Sequence, residues 1–216
     1  MKKIVSFLLL ALSLTLACAQ DWPNFARYAE ANKEIKSAPL AVFMGDSITE
    51  GWIGQRKEFF EKNNFVGRGI SGQVTSQMLI RFRPDVVNLK PKYVVILAGT
   101  NDIAQNQGPI SLENVAGNIA SMCEIAKANG IIPIICSVLP AHQYKWRKEI
   151  EPIKPIAQLN EMLKKYAEEN DIIYADFYSA VVDERKGLPL KYSPDGVHPN
   201  AEGFKAIEPI VLKFIK

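Results

Sequence analysis

The sequence has little that would mark a metalloprotein, a disulfide-stabilised protein or a polyanion-binding protein. Its 216 residues include three cysteines and two histidines, without the Cys/His spacing of a zinc site. Lysine and arginine total 26 against 23 for aspartate and glutamate, and no basic stretch is interleaved with aromatic residues. A near balance of charge gives little counterion-release affinity for nucleic acid. We therefore expect no metal, no other cofactor and no nucleic-acid partner.

Long apolar runs are also absent, apart from one at the N-terminus. Residues 1–19 contain Lys2 and Lys3, then an apolar stretch over Ile4–Leu16, then small residues. The stretch is shorter than the roughly 20 residues of a membrane-spanning helix, and this order of segments is typical of a secretory signal. We expect its removal on export to the periplasm or beyond, which leaves residues 20–216 as one domain without a transmembrane span. Loss of Lys2 and Lys3 lowers the formal net charge from +3 to +1.

The cysteines leave one alternative to this prediction open. Residues 16–18 loosely resemble a lipobox, in which Cys18 would be acylated, although Thr15 stands where such boxes usually have leucine. Cys123 lies in a helical pattern and Cys136 in an apolar strand pattern. Both are expected to be buried free thiols, even though export would permit a disulfide.

The order of apolar segments indicates the fold class. From residue 40 onward, short apolar segments alternate with longer amphipathic ones, as in βαβ units. The predicted strands are Leu40–Met44, Asn64–Gly67, Tyr93–Ala98, Ile131–Val138 and Ile172–Asp176. The predicted helices are Thr49–Lys62, Thr75–Leu89, Ser111–Asn129, Ile153–Asn170 and one from Ala201 to the end. The central strands are almost wholly apolar, which predicts an α/β fold: a three-layer αβα sandwich with a flavodoxin-like, five-stranded parallel sheet. Ligands bind such sheets beyond the carboxyl ends of the strands.

A serine follows the first predicted strand in the turn before the next helix. Ser47 lies within the segment 44–49, where its Oγ can face solvent near a helix N-terminus. Asp46 and Ser47 are also common residues of turns and helix caps, so the segment alone leaves both interpretations open. A serine becomes a strong nucleophile only beside a base.

One of the two histidines lies close to a carboxylate in the sequence. His198 follows Asp195 by three residues in the turn-rich segment 193–200. On a bent loop this spacing can bring Asp195 to Nδ1 while Nε2 faces a nucleophile, as a catalytic triad requires. His142 has no such neighbour. The residues therefore favour Ser47, His198 and Asp195 as a set.

Acyl transfer also requires donors for a developing oxyanion. Asn101 follows the third predicted strand, at the same sheet edge as Ser47, and its amide can donate there. Gly72 closes the segment after the second strand, where the lack of a side chain lets a backbone N–H approach a substrate. Asn101 could instead form an ordinary Asx turn.

Four short motifs, in order along the chain, resemble the conserved blocks of the SGNH hydrolase superfamily, the GDSL-type esterases and lipases. They are Gly-Asp-Ser at 45–47, the glycine within 70–73, Gly-Thr-Asn-Asp at 99–102 and Asp-Gly-Val-His-Pro at 195–199. The spacing is similar to that of compact platelet-activating-factor acetylhydrolase-like acylhydrolases. The resemblance implies a carboxylic ester hydrolase with Ser47 as nucleophile and Asp195 and His198 as orienter and base. It also implies an oxyanion hole formed by Ser47 N–H, Gly72 N–H and the Asn101 side chain.

The substrate is less well indicated. Tyr144, Trp146 and Arg147 lie in the long connection 139–155, where they could stack on a sugar or meet an anionic group, or simply pack within the loop. Export and the acetylhydrolase-like resemblance favour short-chain acyl esters, including acetylated glycans. A lysophospholipase or thioesterase-type acylhydrolase, and a carbohydrate-binding protein without catalysis, stay open as alternatives.

Residues 67–72 also spell G-x-G-x-x-G, the pattern of dinucleotide-binding turns. The motif follows the second strand instead of the first, and the next strand ends at Ala98-Gly99 without an acidic residue for a ribose. The context therefore argues against a nicotinamide-dependent oxidoreductase.

Overall fold

A five-stranded parallel sheet is the frame of the protein in this computed structural model, which describes residues 21–216. The strands are β1 Ala41–Gly45, β2 Phe65–Gly69, β3 Tyr93–Leu97, β4 Ile132–Cys136 and β5 Ile173–Ala175. The helices are α1 Ala26–Glu34, α2 Ser47–Gln55, α3 Lys57–Lys62, α4 Thr75–Asp85, α5 Thr100–Ile103, α6 Leu112–Ala128, α7 Ile153–Glu169, α8 Tyr178–Val181 and α9 Ala201–Leu212. The strand order β2-β1-β3-β4-β5 is the flavodoxin-like order, which confirms the predicted fold. The expected signal sequence and Cys18 lie outside the described residues.

Both faces of the sheet are apolar because helices cover both. Successive side chains of a strand point to opposite faces, so Val42 and Phe43 enter different halves of the core. Val42 packs with Phe82 of α4 on one side, whereas Phe43 packs with Trp52 of α2 on the other, the ring centroids being 5.3 Å apart. The buried face of each helix thereby fixes the position of the helix relative to the strand ends.

The segment predicted as one helix over Thr49–Lys62 forms two helices, α2 and α3. The break lies at Arg56, whose φ of −130° and ψ of 39° are not helical. Its guanidinium makes a paired contact with Glu208 of α9, with Nε 2.7 Å from Oε1 and Nη2 2.9 Å from Oε2. Helix α2 starts at Ser47, two residues before the predicted start. The break between α2 and α3 thus coincides with a residue that is held by an ion pair to α9.

Other element ends differ from the prediction by a few residues. Helix α4 stops at Asp85, just after Pro84, and a 3-10 turn follows over Val87–Leu89. Helix α1 was not predicted, since it buries none of its residues and so lacks the apolar stripe of a core helix.

Cys123 and Cys136 are buried and free, as expected. Within residues 21–216, every helix is too short or too polar to cross a membrane.

Candidate active site

The carboxyl ends of three adjacent strands bring the predicted site residues to one edge of the sheet. Gly45, the last residue of β1, is in register with Gly69 of β2 and with Leu97 of β3. Ser47 therefore follows the central of these strands, while Gly72 and Asn101 follow its two neighbours. Gly72 and Asn101 lie 25 and 54 residues after Ser47 in the sequence. The strand order explains why all three residues lie at the same edge of the sheet.

Ser47 is presented at the first turn of α2. The Asp46 carboxylate caps this helix by accepting the Ile48 N–H at 2.9 Å. Gly45 leaves no room for a side chain, since a Cβ there would lie 2.1 Å from Thr49 Oγ1 and 2.7 Å from Leu97 O. The chain can therefore turn sharply from strand to helix, with the serine at the apex.

Ser47, His198 and Asp195 form a continuous chain of contacts. Ser47 Oγ lies 2.9 Å from His198 Nε2, and His198 Nδ1 lies 2.7 Å from Asp195 Oδ2. Burial alone would raise the pKa of the Asp195 carboxyl, but hydrogen bonds from the His198 backbone and imidazole lower it well below its usual value. An ionised Asp195 only accepts, so Nδ1 carries the ring hydrogen and Nε2 is left to accept from Ser47.

Local hydrogen bonds hold the loop that carries the histidine. Asp195 Oδ1 accepts the N–H groups of Val197 and His198 at 2.9 and 2.8 Å, and the hydroxyl of Ser193 at 3.0 Å. Gly196 has a φ of +85°, which allows the turn between them. One carboxylate therefore both shapes the loop and contacts the imidazole.

Candidate oxyanion donors lie after the two strands that flank β1, the strand that leads to Ser47. Gly72 has a φ of +78°, and within residues 21–216 its N–H and that of Ser47 have no hydrogen-bond acceptor. Asn101 Nδ2 donates one hydrogen to Gln73 O at 3.0 Å, which leaves its second hydrogen free. Asn101 Oδ1 accepts from Asn106 Nδ2 at 2.8 Å, which fixes the orientation of the amide.

Asn106 is a site residue that the sequence analysis missed. Besides holding Asn101, its Oδ1 accepts the indole N–H of Trp146 at 3.0 Å. The Trp146 ring is 43% exposed and its centroid lies 6.1 Å from that of the His198 ring. Asn106 therefore links Asn101, a candidate oxyanion donor, to the exposed Trp146 beside His198. Its place five residues after Asn101, on the loop after α5, gave no sequence signal for this role.

Tyr144 and Arg147, the other two predicted substrate-binding residues, lie in surroundings that differ from those of Trp146. Tyr144 is fully buried, with its hydroxyl 3.0 Å from Thr100 Oγ1, which favours the interpretation that it packs within the loop. Its ring lies under Trp146, with centroids 5.1 Å apart, and supports it. The Arg147 side chain is 42% exposed and has Glu149 as a neighbour at 3.7 Å. His142 is exposed and lies beside Gly187, whereas Ser47 contacts His198.

The first two glycines of the G-x-G-x-x-G pattern have a packing role. A Cβ at Gly67 would lie 1.8 Å from Ile53 Cδ1, and one at Gly69 would lie 2.3 Å from Glu50 N. Both residues let β2 approach α2 closely. The strand order also puts β2 at the edge of the sheet, unlike the first strand of a dinucleotide-binding unit.

The fold, together with the four motifs at one sheet edge, is that of an SGNH-type hydrolase. Residues 43–206 match the model of the GDSL-like Lipase/Acylhydrolase family, and the chain belongs to this family. This match confirms the resemblance seen in the sequence.

Three known proteins illustrate the relationship. The crystal structure of a proposed acylhydrolase from Bacteroides fragilis is 45% identical with a TM-score of 0.87, over 91% of this chain and 97% of that one. An uncharacterized lipoprotein of Bacillus subtilis is 31% identical over 46% of this chain and 48% of its own length. The matched region thus spans about half of that relative. An acetylxylan esterase of Geobacillus stearothermophilus is 24% identical over 69% of this chain and 71% of its own.

Proposed function

We propose that the protein is a serine carboxylic-ester hydrolase. The observation that carries this proposal is the contact chain from Ser47 Oγ through His198 to Asp195, with separations of 2.9 and 2.7 Å. His198 Nε2 takes the Ser47 proton as Oγ attacks the ester carbonyl, and the same proton then goes to the departing alkoxide. Water attacks the resulting acyl-serine through the same base, which releases the carboxylate and restores Ser47.

In this proposal three hydrogen-bond donors stabilise the tetrahedral intermediate. The backbone N–H groups of Ser47 and Gly72 and the free Asn101 amide hydrogen come from the ends of neighbouring strands. Such donors stabilise charge that appears mainly in the transition state, so they act on kcat more than on KM. The N-terminus of α2 adds a favourable helix dipole at the same point.

The substrates that we propose are short-chain acyl esters, including acetylated glycans. Trp146 offers an exposed ring beside His198, and aromatic faces are suited to stacking on the apolar face of a sugar. The Asp195 and His198 side chains are 34% and 40% exposed, which leaves room for a bulky alcohol on the leaving side. The acetylxylan esterase among the relatives supports the same class of substrate.

The test is a series of para-nitrophenyl esters from acetate to decanoate, followed by acetylated xylan and matched deacetylated xylan. We expect kcat/KM to be highest for acetate, to fall as the acyl chain lengthens, and acetate to be released from the acetylated polymer only. A kcat/KM that rises with chain length would favour the lysophospholipase or thioesterase alternative. Binding to xylan without hydrolysis of any ester would favour the carbohydrate-binding alternative.

We also propose that the protein is exported. The proposal rests on the signal-like residues 1–19, and the Bacillus subtilis relative is itself named a lipoprotein. Fractionation of a producing bacterium, with the intact mass of the protein in each fraction, tests it. In the envelope or medium, a mature chain beginning at Gln20 supports cleavage and a lipid-modified Cys18 supports the lipoprotein alternative, whereas a full-length chain found only in the cytoplasm contradicts export.

A further inference from the structure

The loop that carries Gly72 has only a few backbone contacts of its own. Ile70 N–H donates to Gly45 O at 3.1 Å, and Gln73 N–H donates to Ile70 O at 3.3 Å, which closes the turn. Neither bond involves Ser71, the residue whose backbone leads into Gly72 and therefore helps to set the direction of the Gly72 N–H. A rigid donor at this point requires a further anchor, since oxyanion stabilisation depends on preorganised geometry.

Glu50 supplies that anchor. Its Oε2 accepts both the N–H of Ser71, at 3.0 Å, and the Ser71 hydroxyl. Glu50 lies three residues after Ser47 on α2, and residues at this spacing share one face of a helix. The helix that presents the nucleophile therefore also holds the residue next to the oxyanion donor, so the two are positioned relative to each other.

The second oxygen of Glu50 is bound from the N-terminal segment, residues 21–34. Arg27 Nη2, on α1, lies 2.8 Å from Glu50 Oε1. The same segment contacts the loop again through Pro23 O, which accepts from Gln73 Nε2 at 2.8 Å. This segment precedes the family-matched residues 43–206. It therefore reinforces the loop from outside the region that defines the family.

The charge on Glu50 suits this arrangement. Burial alone would raise the pKa of its carboxyl, but the hydrogen bonds from Ser71 and Arg27 lower the pKa below its usual value. Glu50 is therefore a carboxylate near neutral pH, with both oxygens free to accept. A carboxylate accepts charge-assisted hydrogen bonds that are stronger than those of a neutral group.

We propose that Glu50 is a positioning residue for the oxyanion hole, and that Arg27 of the N-terminal segment holds Glu50 in place. The proposal rests on the proposed ester hydrolysis, because it assigns Glu50 an effect on the Gly72 donor. An ion pair that only stabilised the fold would have a different effect on kcat when removed. The Arg27 and Glu50 side chains are 48% and 32% exposed, and exposed pairs contribute at most about 1 kcal/mol to stability. Removal of such a pair would leave kcat unchanged.

Five variants test the proposal in hydrolysis of para-nitrophenyl acetate: Glu50→Ala, Glu50→Gln, Arg27→Ala, the double variant with both alanines, and Lys33→Ala as control. Lys33 lies on α1 like Arg27, but its ion pair within residues 21–216 is with the exposed Glu30. Loss of one oxyanion donor costs roughly 100-fold to 1000-fold in kcat, so a misdirected donor in Glu50→Ala should cost roughly 10-fold to 100-fold. KM should change by less than about 3-fold, since the donor acts mainly in the transition state.

The remaining variants separate positioning from packing. Glu50→Gln should recover most of the kcat lost in Glu50→Ala, because its amide oxygen can still accept the Ser71 N–H. Arg27→Ala should lower kcat by a smaller factor than Glu50→Ala. The double variant should match Glu50→Ala, because the two residues act through one contact. Lys33→Ala should match the wild type.

Several results would overturn the proposal. They are a kcat within about 2-fold of wild type in Glu50→Ala, a loss confined to KM, or additive losses in the double variant. Should Glu50→Ala fail to fold, as seen by circular dichroism, an unchanged kcat in folded Arg27→Ala overturns it equally. Failure of the proposed function is distinct, because a wild-type protein without esterase activity would show it before any variant is made.

Discussion

The candidate site has two halves that are built differently. One half, at the sheet edge, comprises Ser47, Gly72 and Asn101, each of which follows a strand of one continuous parallel ladder. The other half comprises His198 and Trp146, each on a long irregular segment. Asn101 is 3% exposed, whereas Trp146 is 43% exposed. Strand register brings the residues of the first half to one edge of the sheet, whereas the second half is placed by side-chain hydrogen bonds.

The difference explains where single substitutions should act. Strand ends are held by many backbone bonds, so removing a side chain there deletes one chemical group and leaves the frame intact. The loops depend on individual residues such as Asp195, which receives two backbone N–H groups, and Asn106, which holds the Trp146 indole. Substitutions there should disturb both geometry and chemistry.

The largest effect among the supporting residues is expected for Asp195→Asn, in the loop half. Asparagine keeps a polar partner but lacks the charge and favours the wrong imidazole tautomer, so kcat should fall on the order of 10³-fold to 10⁴-fold. KM should change little. Steady-state hydrolysis of para-nitrophenyl acetate measures both constants. A loss below about 10-fold would mean that another group orients His198.

Asn101→Ala is the matching change in the sheet-edge half. It removes one candidate oxyanion donor, so kcat should fall roughly 10²-fold to 10³-fold with a smaller change in KM. The thermal unfolding midpoint should be measured alongside, because Asn101 also donates to Gln73 O. An unchanged kcat with a raised KM would instead make Asn101 a substrate-binding residue.

Trp146→Ala should have a smaller effect that depends on the substrate. Loss of a stacking face worth about 1 kcal/mol raises KM roughly 5-fold for an acetylated xylo-oligosaccharide. para-Nitrophenyl acetate should respond less, because it lacks the sugar. Tyr144→Phe is the matched control, since it keeps the ring under Trp146 and removes only the hydroxyl contact with Thr100. Equal KM changes for both substrates would argue against stacking on a sugar.

Asp46→Asn should change turnover least and is expected to alter the pH dependence of stability. Burial raises the pKa of the Asp46 carboxyl to about 7, whereas in the unfolded chain it titrates near about 3.9. Between these values the folded state binds more protons, so this group makes the unfolding free energy decline as pH rises from about 4 to about 7. Asparagine still caps α2 but does not titrate.

Urea denaturation at pH 5 and pH 8 measures this difference. The unfolding free energy of Asp46→Asn relative to wild type should be higher at pH 8 than at pH 5. Parallel changes in the two proteins would show that Asp46 does not carry the titration.

The sequence predicted the sheet-edge half, and the Asp195–His198 pair of the loop half, better than the rest of the site. Strand order and the convergence of Ser47, Gly72 and Asn101 follow from local apolar patterns and the rules of parallel sheets, so they were predictable. The break at Arg56 was not predicted, and the partner of the Arg56 side chain, Glu208, lies 152 residues away in the sequence. Tyr144 and Trp146 are two residues apart on a loop without periodicity, and only the fold determines which one is buried. Asn106 acts through contacts that leave no local signature.

The central claim is that Ser47 is a nucleophile activated by His198. The direct measurement is the intact mass after treatment with a fluorophosphonate, with peptide mapping of the modified residue, on wild type and Ser47→Ala. Wild type should gain one phosphonyl group on Ser47 and lose esterase activity in step with labelling. Ser47→Ala should remain unlabelled, fold normally and lose activity by several orders of magnitude. Labelling at another residue, or near-normal hydrolysis by folded Ser47→Ala, would contradict the account.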